Sequence, residues 1–149
     1  MKNEKQNHES QDLNQLVKED KVIYGEMNFP MKNESYKIIG ACMEVHNELG
    51  HGYHEIIYKD AIEIEFNTRG ISFEREKEFK IFYKEHDLKR TYRVDFLVFD
   101  GIILEVKADQ TEIASHSKQV LNYLASSGCK VALCVNFGSD RLKYKRMIL

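Results

Sequence analysis

Past residue 34 the apolar positions of the chain fall into two rhythms. From Ser35 onward, Ile38, Cys42, Val45 and Leu49 recur at three- and four-residue spacing. That is one stripe of a helix, with Ser35 placed to cap it and Gly50 to stop it. A second stripe, Tyr58, Ile62 and Phe66, predicts a helix over 54–69 ended by Gly70. Between Ile71 and Lys107 the period drops to two: Phe79, Ile81 and Tyr83, then Tyr92, Val94, Phe96 and Val98, then Ile102, Leu104 and Val106. These alternations predict three consecutive antiparallel strands, joined by "EHD" and by a turn at Asp100 and Gly101. A helix over 111–127 stopped by Gly128, a buried strand in "KVALCVNF" and a basic tail, "RLKYKRMIL", follow. The order α-α-β-β-β-α-β predicts an α+β, or mixed α/β, packing of helices on one sheet.

Residues 1–31 lack this periodicity and mix both charge signs, and Pro30 is the only proline in the chain. The expectation is a weakly structured extension over 1–31 and one domain over 32–149. Hydrophobic residues at 42% and charged residues at 31% suit a folded chain. No apolar run approaches the roughly 18 residues needed to span a bilayer, and the N-terminal residues do not resemble a signal peptide. A cytoplasmic protein without a membrane partner is therefore expected. Cys42, Cys129 and Cys134 are an odd number in apolar surroundings without metal-site spacing, and read as reduced core residues. A net charge of -2 advertises no nucleic-acid binding, which would have to come from a local patch or a metal ion.

The stretch "VDFLVFDGIILEVKA" places Asp95, Glu105 and Lys107 inside two apolar strands. Alternation requires Val94, Phe96 and Val98 to share a core face with Ile102, Leu104 and Val106, since a one-residue slip would turn one set over. Facing positions must then have an even sum. This predicts a three-residue connection, Phe99 to Gly101, with Gly101 left-handed, Asp95 facing Glu105 and Arg93 facing Lys107 on the non-core face. Like charges in facing positions destabilise a sheet. A divalent cation between the two acids removes that cost. The plainer alternative is that Arg93 and Lys107 neutralise two acids on a solvated face.

The same residues carry a resemblance. Asp95, Glu105 and Lys107, spaced D-x9-E-x-K across a hairpin, look like the signature of the PD-(D/E)XK nuclease superfamily, with Val94 where that signature has proline. "GYHEIIY" matches G-x-x-E-x-x-Y, and with "IIGACMEVHNELG", "QVLNYL" and "VNFG" it resembles the GxxExxY proteins, a group placed in that superfamily. The resemblance spans Ser35 to about Arg146. It implies an αβββαβ PD-(D/E)XK nuclease-like core with an additional N-terminal helix. It further implies Asp95 and Glu105 as ligands of Mg²⁺ or Mn²⁺, the Val106 carbonyl as a third, and Glu55 facing the metal directly or through water. Lys107 would orient or activate the attacking water, and Gln119 and Tyr123, a Q-x3-Y pair, would border the site.

The function so implied is a metal-dependent nuclease acting on nucleic acid, with DNA expected, and a homodimer or partner protein is a means of placing it. No recognition helix or zinc-finger spacing supplies sequence specificity. Three scattered cysteines fall short of the four an iron–sulfur cluster needs. The rival readings are a non-catalytic nucleic-acid or protein-binding module that keeps the fold, and another phosphodiester or nucleotide hydrolase using the same metal site. Taken alone, Glu55 reads as a helix-start carboxylate favoured by the dipole, and Gln119 as an exposed residue beside a core Tyr123.

Overall fold

The computed structural model describes residues 30–110 and 114–149, so residues 1–29 of the extension expected over 1–31, and positions 111–113 of the third helix, lie outside the described residues. Helix α1 (Lys32–Leu49) starts three residues before the predicted cap. Met31, with φ 57°, takes the N-cap position without a side-chain cap, and its carbonyl accepts the Ser35 amide at 2.9 Å. Ser35 is thus buried within the first turn and does not cap it, because left-handed Met31 already holds the N-cap position upstream of it. Gly50 ends the helix with φ 68°, donating to the His46 carbonyl at 2.8 Å. Helix α2 (Glu55–Arg69) buries Tyr58, Lys59, Ile62 and Phe66 and ends at left-handed Gly70.

Five strands follow: β1 (Phe73–Tyr83), β2 (His86–Val98), β3 (Ile102–Lys107), β4 (Val131–Asn136) and β5 (Lys143–Ile148). They lie side by side in chain order. All pairs are antiparallel except β3 and β4, which helix α3 (Ala114–Ser127) connects as a parallel crossover. The basic tail is therefore a fifth strand, which alternation did not reveal because lysines and an arginine fill half of its positions. Such charged residues suit an exposed sheet edge.

Val98 pairs with Ile102 and Phe96 with Leu104, so the connection has three residues and the even-sum register holds. The left-handed residues in it are Phe99 (φ 52°) and Asp100 (φ 55°), not Gly101 as expected. Gly101 instead leaves room for Met31, whose Sδ lies 2.8 Å from where a Cβ would stand.

The sheet has a core on each face where β3 runs, so Asp95 and Glu105 do not stand on a solvated non-core face. Phe96, Val98, Ile102, Leu104 and Val106 pack with Ile38, Cys42, Ile62 and Phe66 of α1 and α2. Val94, Ile103, Ala132 and Cys134 pack with Val120 and Leu124 of α3. Val94 thus lies opposite to its predicted companions Phe96 and Val98. In β1, Phe73 joins the first core and Phe79 the second, although their spacing is even. The β1–β2 ribbon turns over between these residues. The turning point is Glu76 and Asp95, flanked by the pairs Arg75 with Phe96 and Lys77 with Val94. Glu76 adopts φ 55°, a conformation uncommon for a residue with a Cβ. Strand β3 lies between both cores, with Ile102, Ile103, Leu104 and Val106 fully buried. A carboxylate there costs several kcal/mol, about 3–5 when it loses its partner, so Glu105 needs compensation from its neighbours.

Candidate active site

Where the ribbon turns over, β2 leaves β3. The ladder between them ends at Phe96 and Leu104, and side chains take over. Asp95 Oδ2 accepts the Val106 amide at 2.7 Å, and Glu105 Oε1 accepts the Asp95 amide at 3.2 Å. Both carboxylates therefore sit in a fork between two splayed strands. The amide and carbonyl of a strand residue share an edge, so the Val106 carbonyl faces the same fork. Arg93 does not reach Lys107; it lies farther along the ribbon opposite Glu78, 3.8 Å away.

Glu105 is 6% exposed. Burial first, and then the charge of Asp95, push its carboxyl up to about 8. From the other face α2 presents Glu55 and, one turn later, Lys59. The Lys59 ammonium lies 2.8 Å from Asp95 Oδ1 and also pairs with Glu76. Burial draws Lys59 down, but the hydrogen bonds and charges of Asp95 and Glu76 outweigh it and hold the group above its usual value. Burial, then Asp95, raises Glu55, while Lys107 and Lys59 pull it back. Lys107, the last residue of β3, lowers both Glu55 and Glu105 by its charge.

Tyr123 of α3 stacks on Tyr92 at 4.4 Å with an interplanar angle of 3°, and Tyr92 Oη donates to the Tyr123 carbonyl at 3.1 Å. The Tyr123 phenol is raised by burial and then by Glu105 and Asp95, with Gln119 pulling it partly back. Of the predicted residues, Asp95, Glu105 and Val106 meet by direct bonds; Glu55, Lys107 and Tyr123 are near enough to interact with these carboxylates by charge; and Gln119 is exposed on α3, one turn before Tyr123. Lys59 and Glu76 were missed. A signal existed for Lys59, which stands four residues after Glu55 and so shares its helix face. None existed for Glu76, one charge among the alternating charges of β1.

Buried polar and aromatic contacts hold the fork's supports. Tyr58 stacks on Phe137 at 4.4 Å, and its hydroxyl donates to the Gly50 carbonyl at 2.6 Å, locking the start of α2 to the end of α1 and to the exit of β4. Asn136 Oδ1 accepts the amides of Gly138 at 2.9 Å and Asp109 at 3.3 Å, tying the exits of β3 and β4 together. A Cβ at Gly138 would stand 1.9 Å from the Asp109 carbonyl oxygen, so only glycine permits this approach. The three cysteines are free thiols. Cys42 and Cys134 belong to opposite cores, and burial pushes them up to about 12 and about 11, which leaves them unreactive. Among the described residues, no three His, Cys, Asp or Glu side chains form a ready metal centre. No helix of the described residues is long and apolar enough to cross a membrane.

A family model described as "PD-(D/E)XK nuclease superfamily" matches residues 32–147. No curated protein matches the chain. Among solved structures, the crystal structure of SSO0001 is similar, with 14% identity and a TM-score of 0.44, over 77% of this chain and 76% of that one.

In EDTA, Glu105 holds its proton over a window, from the ordinary 4.5 to about 8, in which the unfolded chain has released it. Folding takes up a proton there, so stability falls as pH rises through that window. Urea midpoints measured across it should decline for the wild type and flatten for Glu105→Gln; a flat wild-type profile would contradict the assignment. Gly138→Ala should cost about 1–3 kcal/mol or more through overpacking. Gly40→Ala, whose Cβ would meet only the Arg69 guanidinium at 3.4 Å, should gain about 0.5–1 kcal/mol in the same measurement.

Proposed function

The chain belongs to the PD-(D/E)XK nuclease superfamily, and on that premise we propose that it is a metal-dependent nuclease hydrolysing nucleic-acid phosphodiester bonds, with DNA the expected substrate. One observation carries the reading. Asp95 and Glu105 are brought together in a fork that the backbone ladder vacates, with Lys107 at the end of the same strand. The proton affinity of Glu105, raised by burial and by Asp95, marks a place that favours added positive charge. The donors are hard oxygens, which suit Mg²⁺ or Mn²⁺, ions that complete their shells with water.

In this reading Asp95, Glu105 and the Val106 carbonyl hold the cation, with Glu55 joining directly or through water. A cation bound there supplies charge neutralisation for the phosphodiester and a more acidic water. Lys107 orients the attacking water. Gln119 and Tyr123 border the site on the α3 side, where the Tyr92–Tyr123 stack fixes the position of the phenol. The motifs "GYHEIIY" and "VNFG" support a finer placement among the GxxExxY proteins. Their residues have physical work in the fold: Tyr58 on Phe137, Asn136 and Gly138 on Asp109.

A second reading, a non-catalytic binding module, is favoured by the Lys59 ammonium on Asp95, an internal salt bridge that needs no metal. The two readings separate on linear, circular and single-stranded DNA and RNA incubated with Mg²⁺, Mn²⁺ or EDTA. The nuclease reading expects cleavage that EDTA abolishes, and losses of at least ~10²-fold in Asp95→Asn, Glu105→Ala and Lys107→Ala. Cleavage that survives these substitutions would overturn the site. Substrate binding without any cleavage would establish the module.

A further inference from the structure

We propose that Lys59 is the resident counter-ion of the fork, a residue whose ammonium holds Asp95 while no divalent cation is bound, weakens cation binding, and yields Asp95 to the cation while staying with Glu76. The inference rests on the reading that the fork takes a divalent cation.

Lys59 is 7% exposed, although lysine is among the residues least often buried. Its ammonium lies on Asp95 Oδ1, and that carboxylate is already engaged through Oδ2 with the Val106 amide. Asp95 is thus held between the backbone of β3 and a side chain of α2. Around it stand the carboxylates of Glu55 and Glu76 and the protonated carboxyl of Glu105, with Lys107 as the other nearby cation. This excess of negative charge requires a positive partner for the fork to close, and Lys59 is placed to be that partner.

Glu76 gives Lys59 a second acceptor. Its left-handed backbone in mid-strand is a local cost, retained only where the surroundings over-determine it. That conformation lies at the point where the ribbon turns over, and the Glu76 carboxylate lands on the Lys59 ammonium. The Glu76 side chain is 39% exposed, so this partner lies on the solvent side of the ammonium. Lys59 can therefore give up Asp95 without becoming an unpaired buried charge. A single positive charge a few ångström from a divalent cation repels it and competes for the same oxygen, so Lys59 lowers cation affinity.

The test is Mn²⁺ titration calorimetry on the full chain, with thermal melts in EDTA and in Mn²⁺, for wild type, Lys59→Met and Lys59→Arg. Lys59→Met should bind Mn²⁺ about tenfold tighter or more. It should melt below wild type in EDTA, where Asp95 and Glu76 have lost their partner, and gain more from Mn²⁺ than wild type does. Lys59→Arg keeps the charge and should bind Mn²⁺ no tighter than wild type. A Lys59→Met protein that folds only in Mn²⁺ would also support the proposal. Equal or weaker Mn²⁺ binding by Lys59→Met, or failure to fold even in Mn²⁺, would overturn it and leave Lys59 as a structural salt bridge. If neither wild type nor Lys59→Met binds Mn²⁺, the reading of the fork as a cation site fails instead.

Discussion

The bond from the Val106 amide to Asp95 Oδ2 is the contact on which the rest of the site depends. It lies where β2 stops following β3, and it replaces a backbone partner with a carboxylate. An interior strand cannot leave its amides unpaired without a cost of about 1–3 kcal/mol each. An aspartate at this position removes that cost and leaves its other oxygen facing the fork. The acid therefore supports the sheet and opens it. The turn-over of the β1–β2 ribbon at Glu76 and Asp95 produces the departure, sending Val94 to the α3 core and Phe96 to the α1–α2 core.

Charge decides the remainder. Glu105 is buried in β3 among fully buried apolar residues, and it carries the added repulsion of Asp95. Its neighbours return part of that cost: the Asp95 amide bonds it, and Lys107 lowers its proton affinity. Lys59 engages Asp95 from the opposite face. Helix α2 thus reaches the fork through Lys59, and charge couples Glu55 of α2 and Tyr123 of α3 to the same carboxylates. The stacked Tyr58 and Phe137 and the Asn136 amide bonds fix the backbone on either side, so the fork is framed by contacts made far from it in sequence.

Much of this was legible in the sequence because it follows from periodicity. The stripes of α1 and α2, the stops at Gly50 and Gly70, and the even-sum pairing of Val98 with Ile102 all follow from where apolar side chains must go. What periodicity hides is a strand that changes face. Val94 and Phe96 read as one stripe, and only the paired turn-over at Asp95 and left-handed Glu76 separates them. For the same reason Arg93 was set against Lys107, which the departed strand never reaches. Strand β5 was hidden because edge strands carry charges that mask alternation, and the early start of α1 because left-handed Met31, not a polar cap, stands at the N-cap. Lys59 was readable only as a helix neighbour of Glu55, since its partners come from strands distant in sequence.

In the proposed function the fork between β2 and β3 is a divalent-cation site whose metal-free state is closed by Lys59. Crystals of the full chain soaked in Mn²⁺ and measured at the manganese absorption edge test it most directly. An anomalous peak is expected within ligand distance of Asp95 and Glu105, with the Lys59 ammonium withdrawn from Asp95 and still beside Glu76. A fork without a peak and with Lys59 still on Asp95, or a peak bound elsewhere on the chain, would contradict it.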